Sequence, residues 1–173
     1  DVQPRHELSR SIQRAIFDVG VYVVPLQAKG VEIIEVREME LQVLLPKGHR
    51  LAKRPYLTPK DMVGEKYVAV KRGLMAREAI DRALASAGET LDVFHELSGT
   101  AAAHRLVAGG VGFTFGDPTV LEPGFREDTV LVPWKPGMKM GLGLFTPKDY
   151  TPHEAAGAFI DCLKSYWDEQ MAL

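Results

Sequence analysis

Apolar stretches that suit β-strands alternate with stretches of helical periodicity along most of the chain. Apolar or alternating runs predict strands at 18–25, 31–36, 39–45, 66–70, 92–97, 111–115, 129–134 and 140–146. Apolar residues at helical spacing predict helices between several of these strands, at 6–17, 75–87, 101–108 and after 151. Such alternation is typical of an α/β domain whose strands are mainly parallel.

Helix ends are marked by short local signatures. The segments TPKD (58–61) and TPHE (151–154) each place Thr at an N-cap, Pro at the first helical position and an acid three residues after the Thr. Gly88 and the pair Gly109–Gly110 predict where two helices end. The spacing thus predicts two capped helix starts and two glycine-terminated helices.

The helix after residue 151 and the alanine-rich helix each present a predicted apolar face. On the first, this face comprises Ala155, Ala158, Phe159, Cys162, Tyr166 and Met171, so we expect Cys162 to lie in the core. On the second, it comprises the pairs Ala102 with Leu106 and Ala103 with Val107, four residues apart. Small alanine side chains predict a helix that packs closely on its own sheet.

Polar and glycine-rich turns follow three of the predicted strands. Lys71–Gly73 come after KYVAV, Ser98–Thr100 after DVFHEL, and Gly116–Asp117 at the end of the strand that follows. In open α/β sheets, ligands bind outside the carboxyl ends of the strands, and a helix N-terminus offers free N–H groups to an anion. We therefore expect these three turns to face one cleft.

Composition narrows the possible partners. The 173 residues carry a net charge of −2 and a pI of about 6.2, without the basic footprint of a nucleic-acid-binding surface. The single cysteine allows no internal disulfide. With no apolar run of membrane-spanning length and no signal-peptide pattern, we expect a cytoplasmic protein without a membrane partner.

No constellation of residues in the sequence indicates catalysis. The five histidines are scattered without metal-ligand spacing, and the serine-elbow, phosphate-loop and dinucleotide motifs are all missing. We therefore expect no metal, no cofactor and no enzymatic activity. Two alternatives stay open, namely a solute-binding protein of a transport system and a small α/β enzyme.

Four segments, taken in order and spacing, carry a resemblance to a known family. They are DVGVYVVP (18–25), MELQVLLPKGHRLAKR (39–54), LTPKDMVGEKYVAV (57–70) and AAAHRLVAGGVGFTFGDP (101–118). Together they resemble the effector-binding domain of LysR-type transcriptional regulators over nearly the whole chain. The resemblance implies a two-lobed α/β fold like a type 2 periplasmic binding protein, with two Rossmann-like lobes, two crossing strands and an effector in the interlobe cleft.

The resemblance also implies an organisation and a set of partners. Crossings near Val43–Pro46 and Leu131–Trp134 would assign 1–43 and 132–173 to one lobe and 44–131 to the other. The family's helix-turn-helix domain, and the first strand and helix of its effector domain, have no counterpart here. Contact with DNA is therefore expected only through that other domain, and the family implies a homodimer or homotetramer.

When the family's effector contacts are carried over by position, the resemblance implies the following site residues. We expect contacts from Arg5 and His6 beside Pro4, and from Val24, Pro25, Lys71, Arg72, Gly73, Ser98, Gly99, Thr100, Gly116 and Asp117. The ending FGDP resembles regulators that respond to basic amino acids or opines.

That ending suggests specific roles. Asp117 would pair with an effector ammonium, while Thr100, Ser98 or Arg5 meets a carboxylate. The alternative is that Asp117 caps the turn before Pro118 and Ser98 is a plain helix N-cap. Arg5, Lys71 and Arg72 would then be solvated surface charges.

Overall fold

The computed structural model describes residue 11 and residues 16–25, 29–117 and 123–171. Arg5, His6 and most of the predicted helix at 6–17 lie outside this part of the chain. The strands are β1 (Gly20–Val24), β2 (Val31–Glu40), β3 (Gln42–Pro46), β4 (Tyr67–Val70), β5 (Val93–Leu97), β6 (Thr114–Gly116), β7 (Thr129–Val132) and β8 (Lys139–Pro147). The helices are α1 (Pro59–Met62), α2 (Met75–Ser86), α3 (Thr100–Ala108) and α4 (Glu154–Met171), with a 3-10 turn at Pro123–Phe125.

The chain divides into two compact units. The first comprises residues 1–39 and 140–173, and the second comprises residues 40–139. The boundaries therefore fall at 39/40 and 139/140, whereas the sequence placed the lobe boundaries at 43/44 and 131/132. The difference arises because β3 and β7 pair with each other along their lengths, so both belong wholly to the second unit.

Strand direction differs from the mainly parallel arrangement that the sequence predicts. Pairing is antiparallel between β1 and β8, between β3 and β6, and between β3 and β7. It is parallel between β4 and β5, and at the isolated bridges Leu57 with Trp134 and Tyr67 with Phe113. The antiparallel pairs of the second unit all involve β3, because β3 carries the chain into that unit against the direction of β6 and β7.

The first unit packs α4 on a three-stranded sheet ordered β1-β8-β2. Leu144 of β8, with Ile160 and Trp167 of α4, belongs to its buried cluster. The sequence placed a different stripe of α4 in the core, and that prediction is wrong. Ala155, Ala158 and Cys162 are exposed, and Phe159 is 54% exposed. Tyr166 alone of the described members of the predicted stripe packs against the cluster, beside Ala156, Ile160, Leu163 and Trp167.

The two predicted helix starts have different outcomes. At α1 the prediction is confirmed, because the N–H and hydroxyl of Thr58 both donate to Asp61 Oδ2, at 2.8 and 2.6 Å. These hydrogen bonds from Thr58 hold the pKa of the Asp61 carboxyl below its usual value. At α4 the helix begins at Glu154, so Thr151 is not its N-cap.

His153 instead caps the N-terminal end of α4. Its carbonyl accepts the first helical hydrogen bond from Gly157 N–H at 2.9 Å, and its ring Nδ1 accepts one from Ala156 N–H at 3.3 Å. The imidazole therefore does what the threonine oxygen was predicted to do, two residues further along the chain.

The second unit is built around β4, whose four residues are all buried. The Tyr67 ring stacks on Phe113 at a centroid distance of 5.2 Å, and burial raises the pKa of its hydroxyl. The predicted glycine ends of its helices are confirmed, because Gly88 and Gly110 have φ angles of +73° and +85° after α2 and α3. Among the described residues, no helix is long and apolar enough to cross a membrane.

Candidate functional site

Two of the predicted site turns leave the sheet side by side. β4 and β5 run parallel with Val70 opposite Leu97, so both strands end at the same level. The N–H of Lys71 donates to the carbonyl of Leu97 at 2.9 Å, which ties the start of one turn to the start of the other. The structure therefore places Lys71–Gly73 next to Ser98–Gly99.

The third turn follows β6, which belongs to a second sheet ordered β6-β3-β7 but is bridged to β4. Phe113 bridges Tyr67 in the parallel direction, and its carbonyl accepts a hydrogen bond from Val68 N–H at 2.8 Å. The strand that continues into β6 thus runs alongside β4, and Gly116–Asp117 follow its carboxyl end. All three turns predicted within the second unit therefore follow the carboxyl ends of neighbouring strands that run in the same direction.

These turns differ sharply in exposure. Lys71, Arg72, Gly73, Ser98 and Thr100 are exposed, and Gly99 is half-buried. Gly116 and Asp117 are buried, and Asp117 is 0% exposed. Solvent therefore reaches two of the turns and is excluded from the third, so the pairing of Asp117 with an effector ammonium stays a prediction.

Helices α2 and α3 begin directly after the two exposed turns. Their N-caps are Leu74 and Gly99, and neither makes a side-chain capping bond. Ser98 is therefore not the N-cap of α3, which was the alternative to a ligand-binding role. The first backbone N–H groups of these two helices are not satisfied by a capping side chain, which suits them to an anion such as a carboxylate.

A buried arginine that the sequence did not single out lies behind the exposed turns. Arg77, in the first turn of α2, is only 2% exposed. Its Nη1 donates to the carbonyl of Val70 at 3.0 Å and to Glu96 at 3.2 Å, and its Nε contacts both carboxylate oxygens of Asp81 at 2.9 Å. One guanidinium therefore fixes the ends of both β4 and β5, directly before the turns.

The charge of Arg77 is well compensated. Burial alone would lower the pKa of its guanidinium, but the hydrogen bond and charge of Asp81 and the hydrogen bond to Glu96 raise it above its usual value. Its carbon Cζ also lies 6.0 Å from the centroid of the Tyr67 ring. Only the i,i+4 spacing to Asp81 could have signalled this cluster, since Glu96 is on another strand.

A buried histidine lies behind the third turn. His104 of α3 is 1% exposed, although the sequence treated it as one of five scattered histidines. A Cβ atom on Gly116 would lie 3.0 Å from His104 Nε2, closer than ordinary contacts allow. A side chain at position 116 would therefore press on the ring, so this position favours glycine and the carboxyl end of β6 is closely packed.

The remaining predicted site residues lie in the first unit. Val24, at the end of β1, is half-buried and pairs with Gly141, and Pro25 after it is exposed. Their part in an effector site stays a prediction, as does that of Arg5 and His6, which lie outside the described residues. Within the described part of the chain, no group of three or more His, Cys, Asp or Glu residues could hold a metal ion.

Comparison of the amino-acid sequence with known proteins finds a matching family and several relatives. Residues 1–168 match the family described as the LysR substrate binding domain. The chain is 26% identical over 155 residues to the octopine catabolism/uptake operon regulatory protein OccR of Rhizobium meliloti, covering 90% of this chain and 51% of that protein. It is 28% identical over 101 residues to the transcriptional activator protein LysR of Escherichia coli, covering 58% of this chain and 32% of that protein.

A solved structure shares the fold. The regulatory domain of CcmR from Synechocystis PCC6803, in complex with 2-PG, superimposes with a TM-score of 0.75 at 17% identity. The match covers 95% of this chain and 80% of that one. The chain thus spans most of a solved regulatory domain but about half or less of the length of the two curated relatives.

Proposed function

Since the chain belongs to the LysR substrate-binding domain family, which has the type 2 periplasmic-binding-protein-like α/β fold, we propose that it senses a small metabolite and thereby controls transcription. DNA would be bound by a separate domain of the same protein, and the assembly would be a homodimer or homotetramer in the cytoplasm. Both curated relatives are named as regulators, which supports a regulator over a transport protein or an enzyme.

One observation carries the proposal for the site. Two exposed turns, Lys71–Gly73 and Ser98–Thr100, lie side by side at the carboxyl ends of parallel strands, each before a helix without a side-chain cap. Backbone N–H groups, the hydroxyls of Ser98 and Thr100, and the charge of Lys71 all suit a carboxylate. The effector class is thus an organic anion with a carboxylate group.

The class of effector is narrowed by similarity. OccR is named for octopine, and the FGDP ending of this chain resembles regulators of basic amino acids or opines. We propose an amino acid or an amino-acid conjugate. An effector can shift the regulator between two arrangements only by binding them with unequal affinity, so the bound state would differ in the geometry presented to the DNA-binding domain.

A thermal-unfolding screen with amino acids, opine-like conjugates and simple carboxylates tests the proposal. A ligand at about a hundred times its Kd adds about 2.7 kcal/mol to the free energy of unfolding, which raises Tm by a few degrees. Thr100→Val, which removes a hydroxyl at nearly constant volume, should abolish the shift. Thr151→Val, at an exposed position of the first unit, is the matched control and should keep it. A shift that survives Thr100→Val would contradict the site assignment.

A further inference from the structure

A half-open cavity of about 460 Å³ lies on the second unit, along α2 and the segment that leads into β5. Its charged lining residues are Arg72, Arg77, Asp81, Glu89 and Asp92. This volume is in the range of small-molecule sites in proteins and is ample for a ligand of amino-acid size. Arg72 also belongs to an exposed turn, but the other four residues belong to none of the predicted site turns.

Some of the charged groups around this cavity are already ion-paired, and others are not. Arg77 and Asp81 neutralise each other, with Glu96 as the second partner of the guanidinium. Arg72, Glu89 and Asp92 form no ion pair with any residue that the structure describes. The walls thus offer one cationic group and two carboxylates that are not already committed, so a ligand with charges of both signs would find a complement for each.

Arg77 supplies the cavity with a hydrogen-bond donor in a fixed position. Its Nε and Nη1 are engaged by Asp81, Val70 and Glu96, and no described residue accepts a hydrogen bond from its Nη2. Arg77 is almost entirely buried and is one of the residues that line the cavity, so Nη2 is the donor left for an occupant. A carboxylate is the group that a fixed guanidinium donor recognises best.

We propose that this cavity is a second small-ligand site and that its ligand is a small zwitterion, such as a free amino acid. The ligand carboxylate binds Arg72 and Arg77 Nη2, and its ammonium binds Glu89 and Asp92. Because the same guanidinium holds the carbonyl of Val70 and the carboxylate of Glu96, occupation of the cavity is coupled to the two exposed turns. The proposal stands whether or not those turns bind an effector.

Three matched compounds test the proposal on the ¹⁵N-labelled chain by NMR. L-norvaline carries both charges, pentanoate lacks the ammonium group, and butylammonium lacks the carboxylate. We expect norvaline to bind with a Kd of about 1 mM and to shift the amide signals of residues 89–93 and the Nε–H signal of Arg77. Pentanoate and butylammonium should each bind at least about tenfold more weakly, because each leaves one set of charges unmatched.

A pair of double variants separates this site from the exposed turns. Glu89→Gln with Asp92→Asn should weaken norvaline binding at least about tenfold. Asp161→Asn with Glu169→Gln removes two exposed carboxylates from α4 and should leave binding unchanged. The proposal is overturned if pentanoate or butylammonium binds as well as norvaline, or if norvaline shifts no amide signal of residues 89–93. It is equally overturned if norvaline binding is unaffected by the first double variant, and shifts confined to Ser98–Thr100 would then favour the effector site instead.

Discussion

The bridge between Tyr67 and Phe113 places the carboxyl ends of β4 and β6 side by side, but the two ends are held in different ways. Behind β4, a buried guanidinium binds a backbone carbonyl and two carboxylates, and the turn that follows is exposed. Behind β6, a buried imidazole packs on a glycine, and Asp117 after it is shielded from solvent. The two strand ends thus differ both in what holds them and in the exposure of the turn that follows.

The largest expected effect comes from removing the polar support behind β4. Arg77→Ala should lower the free energy of unfolding by about 3 kcal/mol, because it leaves the buried Val70 carbonyl without its donor and a hole beside Tyr67. Chemical denaturation with urea measures this loss. Arg82→Ala, an exposed arginine on the same helix, should stay within about 0.5 kcal/mol of the parent chain. Equal losses in the two variants would contradict the role assigned to Arg77.

A smaller loss is expected from disturbing the packed support behind β6. Gly116→Ala should cost about 2 kcal/mol, because its Cβ would press on the His104 ring. At Gly124 a Cβ meets nothing within 4 Å, so Gly124→Ala is the matched control and should be nearly neutral. The double variant His104→Ala with Gly116→Ala should cost less than the sum of the two single changes. Additive losses would show that the ring does not restrict residue 116.

The smallest effect on stability, with the clearest effect on binding, is expected within the exposed turn. Lys71→Gln should change the free energy of unfolding by less than about 0.5 kcal/mol, since the side chain is exposed. It should weaken binding of the compound with the largest thermal shift by about tenfold. Lys60→Gln on α1, also exposed, is the control for the loss of one positive charge. A clear loss of stability in Lys71→Gln would contradict the view that this turn is exposed and contributes little to the fold.

The sequence predicted well those features of the fold that depend on residues close together in the chain. The Thr58 cap, the glycine ends at Gly88 and Gly110, and the turns at the strand ends all depend on a few neighbouring residues. Strand direction was less predictable, because β3 is antiparallel to its neighbours only by virtue of where it enters the second unit.

The buried supports of the candidate site could not be predicted from local pattern. Arg77 is recognisable only when Val70 and Glu96 lie beside it, and His104 only when Gly116 does. The face of α4 was misassigned for a related reason. Two apolar stripes lie next to each other on this helix, and periodicity alone does not show which of them the sheet covers.

The exposure of Cys162 has a practical consequence. It is the sole cysteine among the 173 residues, and it lies on α4 of the first unit, whereas the exposed turns and the cavity belong to the second. A maleimide dye or spin label will therefore attach at one defined position without any cysteine having to be removed. The chain is thus ready for fluorescence or electron-resonance spectroscopy, with the reporter well separated in sequence from the groups whose ligands are to be found.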